Sequence, residues 1–478
     1  MKKTLHFSVT IVMLMMAAIG FPSLVHAQWS ARVNLSPHAV NAGLNESMGS
    51  CIGVSGDTVH VVWCDQRSGT RTVIYYIRST DAGLTWNTPI AITDTNGNAW
   101  NPAIAVNGPN IHVVWRTVVG TTRSSHYRRS LDAGNNWQPN ILLDSAVADW
   151  PAVTVSGNYV YVVNDILTAS SPYNTEIFFL RSTDNGATWS AHQQVTFSVG
   201  RSEDEAIAAQ GPDIYMAWND NRNGTMQIFY KHSHDHGTTW DADVLINSEP
   251  SYGTMVNVDG AFVDIPSTGA PSGHYQTHLN QSADTGNTWG ADHNLTNDAA
   301  NTYYYPYMVR DGSDLHLTYV KSGVGGQYLH SGDGGTTWDA PLSTGFSGIT
   351  PFVAYNQCVV HIIMPDSGHI NYIRNPTGNH GTHCPLYTGI KDQPEKGFAV
   401  SVYPNPFGTQ TTFEIDSPET SENCELRILD IMGREVINLN FGNNTRIIFD
   451  RGNLNSGIYL YSIVQSRTIV ATGKMMVE

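Results

Sequence analysis

The sequence predicts an all-β protein built from repeated four-stranded units, with a smaller β domain behind them. Three observations carry this: one phrase recurs at a fixed interval, four strand-like stretches recur inside each interval, and residues 397–478 follow a different pattern.

The phrase reads RSTDAGLTW at residues 78–86, then RSLDAGNNW, RSTDNGATW, HSHDHGTTW, QSADTGNTW and HSGDGGTTW. Its aspartates, Asp81, Asp132, Asp184, Asp235, Asp284 and Asp333, stand 51, 52, 51, 49 and 49 residues apart. Between them a first strand reads NPAIAV, WPAVTV, DEAIAA or YPYMVR, and a second reads VHVVW, IHVVW, VYVVN, IYMAW or LHLTY. A third runs into the Asp-Gly turn, and a fourth starts at the Trp, as in WNTPIAIT, WQPNILLD and WDADVLIN. Short apolar or alternating runs bounded by Gly and Asn are strands. Four-stranded units repeated at this length are propeller blades.

After the sixth phrase, ITPFVAYNQCVVHIIMPDSGHINYIRN supplies three more strands but no Asp-Gly turn. The absent fourth strand lies at the other end, where WSARVNLS, residues 29–36, matches the segments that begin at each repeat Trp. Seven blades are therefore expected, closed by the N-terminal strand, because an open ring leaves strand edges unpaired. Six is the alternative if the last unit is irregular.

Residues 1–27 combine Lys2 and Lys3, an apolar run from Phe7 to Phe21 and the cleavage-like Val25-His26-Ala27, which reads as a secretory signal peptide. No later apolar run approaches the roughly 18 residues that span a bilayer, so no transmembrane segment is expected after its removal. The propeller is expected over 28–375. Residues 376–396, rich in Pro, Gly and polar residues, read as a linker. Residues 397–478 carry strands such as TTFEI, TRIIFD and GIYLYSIV and suggest a small β-sandwich. The formal charge of -16 excludes the basic footprint of broad nucleic-acid binding and is compatible with an exported protein or with cation binding. Five widely spaced cysteines exclude a disulfide scaffold. Cys51 and Cys64 flank a hairpin, either paired as diagonal neighbours or kept as buried thiols.

The repeat S-x-D-x-G-x-x-W resembles the Asp-box (BNR) motif of sialidase-like propellers. The tail resembles the type A sorting domain of the type IX secretion system of Bacteroidetes, through Tyr403-Pro404-Asn405-Pro406-Phe407, DIMGREV at 430–436, SGIYLY at 456–461 and Gly473-Lys474. That resemblance implies recognition by the type IX machinery and passage through the periplasm to the surface or medium of a Gram-negative bacterium.

Each residue type in the phrase has a structural task. Asp at a hairpin accepts backbone N–H bonds two residues on, Gly tolerates positive φ, Ser is a further local acceptor, and Trp packs between blades. The sets are Asp81, Gly83 and Trp86; Asp132, Gly134 and Trp137; Asp184, Gly186 and Trp189; Asp235, Gly237 and Trp240; Asp284, Gly286 and Trp289; Asp333, Gly335 and Trp338. Their turns lie opposite the loops that bear sites in the resembling enzymes.

The other face, the mouth, gathers Asp65, Arg67, Arg71, Trp100, Arg116, Asp149, Trp150, Asp165, Arg201, Glu203, Asp204, Glu205, Asp220, Arg222, Tyr303, Tyr304 and Tyr305. First strands commonly open with Pro (Pro102, Pro151, Pro306, Pro351), whereas blade 4 opens with Glu205 inside RSEDE. Carboxylates there suit acid–base work or a hard cation such as Ca²⁺, or form a solvated acidic loop. Trp100, Trp150, Tyr303, Tyr304 and Tyr305 offer either sugar-stacking faces or packing between blades. Asp65-Gln66-Arg67 and Asp220-Asn221-Arg222 recur at equivalent hairpins, which favours each Arg bracing its own loop.

Sialidase chemistry, as the resemblance implies it, needs three arginines on the substrate carboxylate, a Tyr nucleophile helped by Glu, and an acid/base Asp. The early Arg-Ile-Pro motif is replaced by Ser47-Met48-Gly49-Ser50-Cys51, and no arginine triplet stands out. The leading expectation is an exported propeller binding glycans or surface proteins without classical sialidase activity, with Arg67, Arg201, Arg222 and the aromatics as ligand contacts. The alternative is a glycoside hydrolase pairing Glu203, Asp204 or Glu205 with Asp65 or Asp149. His232, His234 and His236 alternate along a strand, and His380, His383 and Cys384 cluster in the linker. Neither is a complete metal set at a recognised spacing, so no cofactor is expected beyond a structural Ca²⁺.

Overall fold

The computed structural model describes residues 29–375 and 399–477, apart from 45–48, 68, 70, 94–96, 146–147, 171–172, 271–272, 357, 417–423, 430–434, 443, 453 and 466–467. The expected signal peptide and linker, with Ser47, Met48, His380, His383 and Cys384, lie outside the described residues. The chain divides into two compact units, Met1–Cys384 and Pro385–Glu478. No helix among the described residues is long and apolar enough to cross a membrane.

The first unit holds seven antiparallel sheets rather than six, each consistent with a propeller blade. Blade 1 comprises Ile52–Ser55, Thr58–Asp65, Val73–Ser79 and Ile90–Ala91, and blades 2 and 3 begin at Asn98 and Ala148. Blade 4 comprises Ser202–Gln210, Asp213–Asp220, Gln227–Ser233 and Val244–Asn247, and blade 6 begins at Tyr303. In blade 5 the inner strand is broken into Ser251–Thr254 and Asn257–Asp259, both paired with Phe262–Gly269. Blade 7 comprises Phe352–Asn356, Val359–Asp366, His369–Asn375 and, from the far end of the chain, Val33–Asn34. Val33 pairs with Tyr372 and Asn34 with Asn371.

Second strands such as TVHVVWCD and DIYMAWND read as largely apolar runs because both their faces are covered. Seven of the eight residues of Thr58–Asp65 are buried. The inner strands of all seven blades line one cavity of about 350 Å³, walled by small and branched residues such as Ala105, Ala152, Ala208 and Val353.

Aromatic wedges lie between successive blades. Trp86 meets Tyr372 edge-on at 4.9 Å, Trp137 meets Tyr76 at 4.9 Å, Trp189 meets Tyr127 at 4.8 Å and Trp289 meets Tyr230 at 4.9 Å. Trp29, which follows no Asp-Gly turn, meets Tyr328 in the same way at 5.1 Å. Such pairs contribute about 0.5–1.5 kcal/mol each beyond area burial. Between blades 5 and 6 a different device appears: Arg310 donates to both Asp264 oxygens at 2.5 and 2.7 Å, with both side chains buried.

The two cysteines of the first hairpin are not joined. Cys51 Sγ donates to the Pro102 carbonyl at 3.1 Å and Cys64 Sγ to the Gly43 carbonyl at 3.2 Å, so each thiol is turned to a separate backbone acceptor. Cys358 is disulfide-bonded.

The second unit is a small β domain with a three-stranded and a four-stranded sheet. Phe407, Phe413, Leu426, Ile428, Phe449, Ile463, Met475 and Val477 form its own core.

Candidate functional site

Each Asp-box is hydrogen-bonded almost entirely within itself. Ser79 Oγ donates to Asp81 and accepts the Gly83 N–H at 2.8 Å; Asp81 accepts the Thr85 N–H at 2.8 Å and its hydroxyl at 2.6 Å. The acceptor therefore reaches four residues on, not two, because two left-handed residues (Ala82 at φ 53° and Gly83 at φ 82°) turn the chain beneath it. Backbone and side-chain bonds from Asn136 and Thr239 hold Asp132 and Asp235 at about 2, and Thr288 does the same for Asp284. The glycine has a second reason to be there. A Cβ on Gly186 would stand 1.8 Å from the Tyr127 hydroxyl, and one on Gly134 would stand 2.1 Å from that of Tyr76.

At the mouth the inner strands share a backbone kink. Register shifts fall at Trp100/Ala103, Asp149/Ala152, Glu203/Ala206, Tyr252/Thr254 and Tyr304/Tyr307. Within them Asn101, Trp150, Asp204, Gly253 and Tyr305 have φ between 45° and 56°. Left-handed backbone is costly for bulky residues such as Trp and Tyr, and a bulge re-aims its side chain. Pro102, Pro151 and Pro306, which follow three of these residues, lack the N–H that a bulge would leave unpaired.

The aromatic residues occupy four different settings. Trp150 lies under the Arg116 guanidinium at 5.3 Å. Tyr252, which is 43% exposed, leads through Tyr275 and Tyr304 to Tyr305, with ring centroids 5.8, 5.4 and 6.2 Å apart. Trp100 is half-buried against a core cluster that runs through blades 1, 2, 6 and 7. Tyr303 points inward, buried, and donates to Asp298 at 2.7 Å.

The carboxylates of blades 3 and 4 lie close together but differ in state. Glu205, in the proline position, is 0% exposed and neither oxygen bonds to another residue. Burial, then Asp165, pushes its carboxyl well above the usual range; Asp165 is raised by burial, then by Asp149. Asp149 is clasped by Arg116 and Arg123. Asp204 accepts from Asn219 at 2.8 Å and is raised by burial. Glu203, half-buried beside Arg201 at 3.3 Å, is raised by desolvation and by Asp204. Tyr173, which sequence reasoning did not single out, stands exposed nearby, and desolvation with Asp165 and Glu203 raises its phenol.

The other two carboxylates are occupied within their hairpins. Asp65 accepts the Val40 and Arg67 N–H groups and the Arg67 Nε at 2.6 Å. Asp220 accepts the Arg222 N–H, the Arg222 Nη2 and the Ser202 hydroxyl. Arg67 then lies over Tyr75 at 4.4 Å, Arg222 over Phe229 at 4.3 Å, and Arg71 is exposed. Tyr252 and Tyr275 escaped the sequence reading because blade 5 has no Pro after its bulge; aligning SYGT with TYYYP is the signal that finds Tyr252.

No curated protein matches the chain. Similar solved structures include a Dyadobacter fermentans protein of unknown function, 14% identical over 71% of this chain and 99% of that one, at a TM-score of 0.45. Trypanosoma rangeli sialidase is 11% identical over 80% and 84%, at 0.43. The α-L-arabinofuranosidase of Fusarium graminearum is 12% identical over 71% and 94%, at 0.42. Residues 401–478 match the secretion system C-terminal sorting domain, which directs the protein out of the cell or to its surface. Residues 23–265, just over half of the chain, match the BNR repeat-like domain, and the chain belongs to that family of sialidase-like propellers.

Proposed function

We propose that the protein is a carbohydrate-binding propeller, displayed at the surface or released, whose ligand face is the mouth, and that its seven blades close into one ring. The observation that carries the binding reading is the set of aromatic side chains held on kinked inner strands beside charged groups. Aromatic faces suit the C–H faces of sugars, while Arg116, Arg201 and Glu203 suit their hydroxyls. Hydrolysis is less well served. Glu205 and Asp165 have oxygens shut away from solvent, Asp65 braces a loop, and Asp149 is clasped by two arginines. Supporting closure, Asn356 of blade 7 donates to the Gly56 carbonyl of blade 1, and Arg374 to the Ala82 carbonyl at 2.8 Å.

Screening the mature protein against glycan arrays and chromogenic glycosides in parallel tests the reading. Saturable glycan binding without turnover, lost in Trp150→Ala or Tyr304→Ala while the melting temperature holds, is the expected result. Turnover that disappears in Glu203→Gln would establish the glycosidase instead.

A further inference from the structure

The histidines of the fourth Asp-box carry an inference independent of the mouth. His232 and His234 are two residues apart at the end of the third strand of blade 4, a spacing that sends both side chains to one side of extended chain. Their rings are 3.9 Å apart. Antiparallel pairing sets Ile214 opposite Ser233, which brings Asp213 alongside them. Asp213 Oδ1 stands 2.9 Å from His234 Nδ1 and 3.3 Å from His232 Nε2. One ligand atom from each of the three lies within 4.8 Å of the others, the only such grouping of His, Cys, Asp and Glu among the described residues.

His232 is 3% exposed and stacked on Tyr215 at 4.4 Å, with its Nε2 facing Asp213. His236, the third histidine of the run, is not part of the group. It bonds to the Tyr161 hydroxyl at 2.6 Å and stacks on Tyr159 at 3.8 Å.

Other blades show what this position ordinarily does. Arg78, Arg129, Arg181 and Arg374 stand where His232 stands, and each donates to a carbonyl in the next blade's Asp-box turn. Gln281 of blade 5 does the same to Gly334 at 3.0 Å. Blade 6 has His330, set between Asp339 at 2.8 Å and Asp314 at 3.4 Å, with Gly332 in the place of His234. Blade 4 thus gives up the usual brace and adds a second imidazole.

We propose that Asp213, His232 and His234 form a binding site for a divalent transition cation of the zinc class, on the Asp-box face of blade 4. Two imidazole nitrogens and one carboxylate oxygen favour such an ion over Ca²⁺, which takes six to eight oxygens. Ligand atoms around a tetrahedral zinc, each about 2.0–2.1 Å from it, stand about 3.3 Å from one another, so the present spacing needs only small side-chain adjustments. Asp241, whose Oδ2 lies 3.3 Å from His234 Nε2, is placed to orient that ring. A bound ion would tie two strand ends together and stabilise the fold by mass action.

The test uses tag-free mature protein stripped with chelator. Titration calorimetry and thermal unfolding are followed with ZnCl₂, NiCl₂ and CaCl₂ on wild type, His234→Ala and His330→Ala. His234 is half-exposed, so its loss is expected to leave the metal-free melting temperature unchanged. The expected result is a zinc stoichiometry that falls by one equivalent in His234→Ala, or an affinity weakened by more than the ~10–100-fold typical of second-shell changes. In the same result wild type and His330→Ala melt several degrees higher with zinc, and Ca²⁺ is without effect. Equal zinc binding by wild type and His234→Ala, absence of saturable binding, or an equal response to Ca²⁺ would overturn the proposal.

Discussion

The two ends of a blade follow one period but repeat different things. At the Asp-box end both backbone and side chains recur, and Ser, Asp and Thr satisfy one another's hydrogen bonds within a few residues. At the mouth only the backbone recurs: the left-handed bulge carries Asn101, Trp150, Asp204, Gly253 or Tyr305. A self-satisfied turn leaves little freedom in residue type. A bulge fixes where a side chain stands and leaves its chemistry open, so one scaffold holds a uniform face and a varied one.

The largest break should come from the strand that completes blade 7. Deleting residues 28–36 removes the partner of Tyr372 and the wedge of Trp29 on Tyr328. It should cost about 5 kcal/mol or more, comparable with the whole stability of a typical domain. Thermal unfolding and protease resistance measure it, and an unchanged melting temperature would refute the proposed closure.

A smaller effect separates the two ends directly. Gly186→Ala meets both a φ of 79° and the Tyr127 hydroxyl, and should cost about 2–4 kcal/mol from backbone and overpacking together. Gly224→Ala, in a mouth hairpin at φ 94° with nothing within 4 Å of its Cβ, should cost only about 1–2 kcal/mol. Equal losses in denaturant melts would mean that the aromatic neighbour of the Asp-box glycine contributes nothing.

The subtlest effect depends on pH. Because the folded carboxyls of Glu205 and Asp165 are raised, the folded state keeps protons that the unfolded chain releases above about pH 4. Stability from this pair is full below that pH and is lost as pH rises through the raised values, by about 1.4 kcal/mol for each tenfold difference in proton affinity between fold and unfolded chain. Glu205→Gln resembles the neutral acid, so it should melt like wild type near pH 4 and higher than wild type at pH 8. A gain independent of pH would show that Glu205 is ionised in the fold.

Much of the architecture was legible because it repeats. The period revealed seven units, and Trp29 could be aligned with the other repeat tryptophans although no Asp-Gly turn precedes it. What escaped depends on pairing across the chain. Gly83 reads locally as a turn residue, and only the neighbouring blade shows that Tyr372 needs the space. Tyr303 and Tyr304 are indistinguishable in TYYYP, yet alternation along the strand sends the first to Asp298 and leaves the second half-buried at the mouth. The histidine run looked short of a ligand because Asp213 lies about 20 residues earlier, supplied by the register of an antiparallel pair.

The pairing of Val33 with Tyr372 also sets a timetable. The two residues are 339 positions apart (372 − 33), so Val33–Asn34 waits for blade 7, the last of the seven sheets, before it has a partner. A chain interrupted before His369 leaves residues 29–36 as an adhesive loose end, open to proteases and to other strands. Blade 7 therefore acquires its fourth strand only after the strands of every other blade have been made.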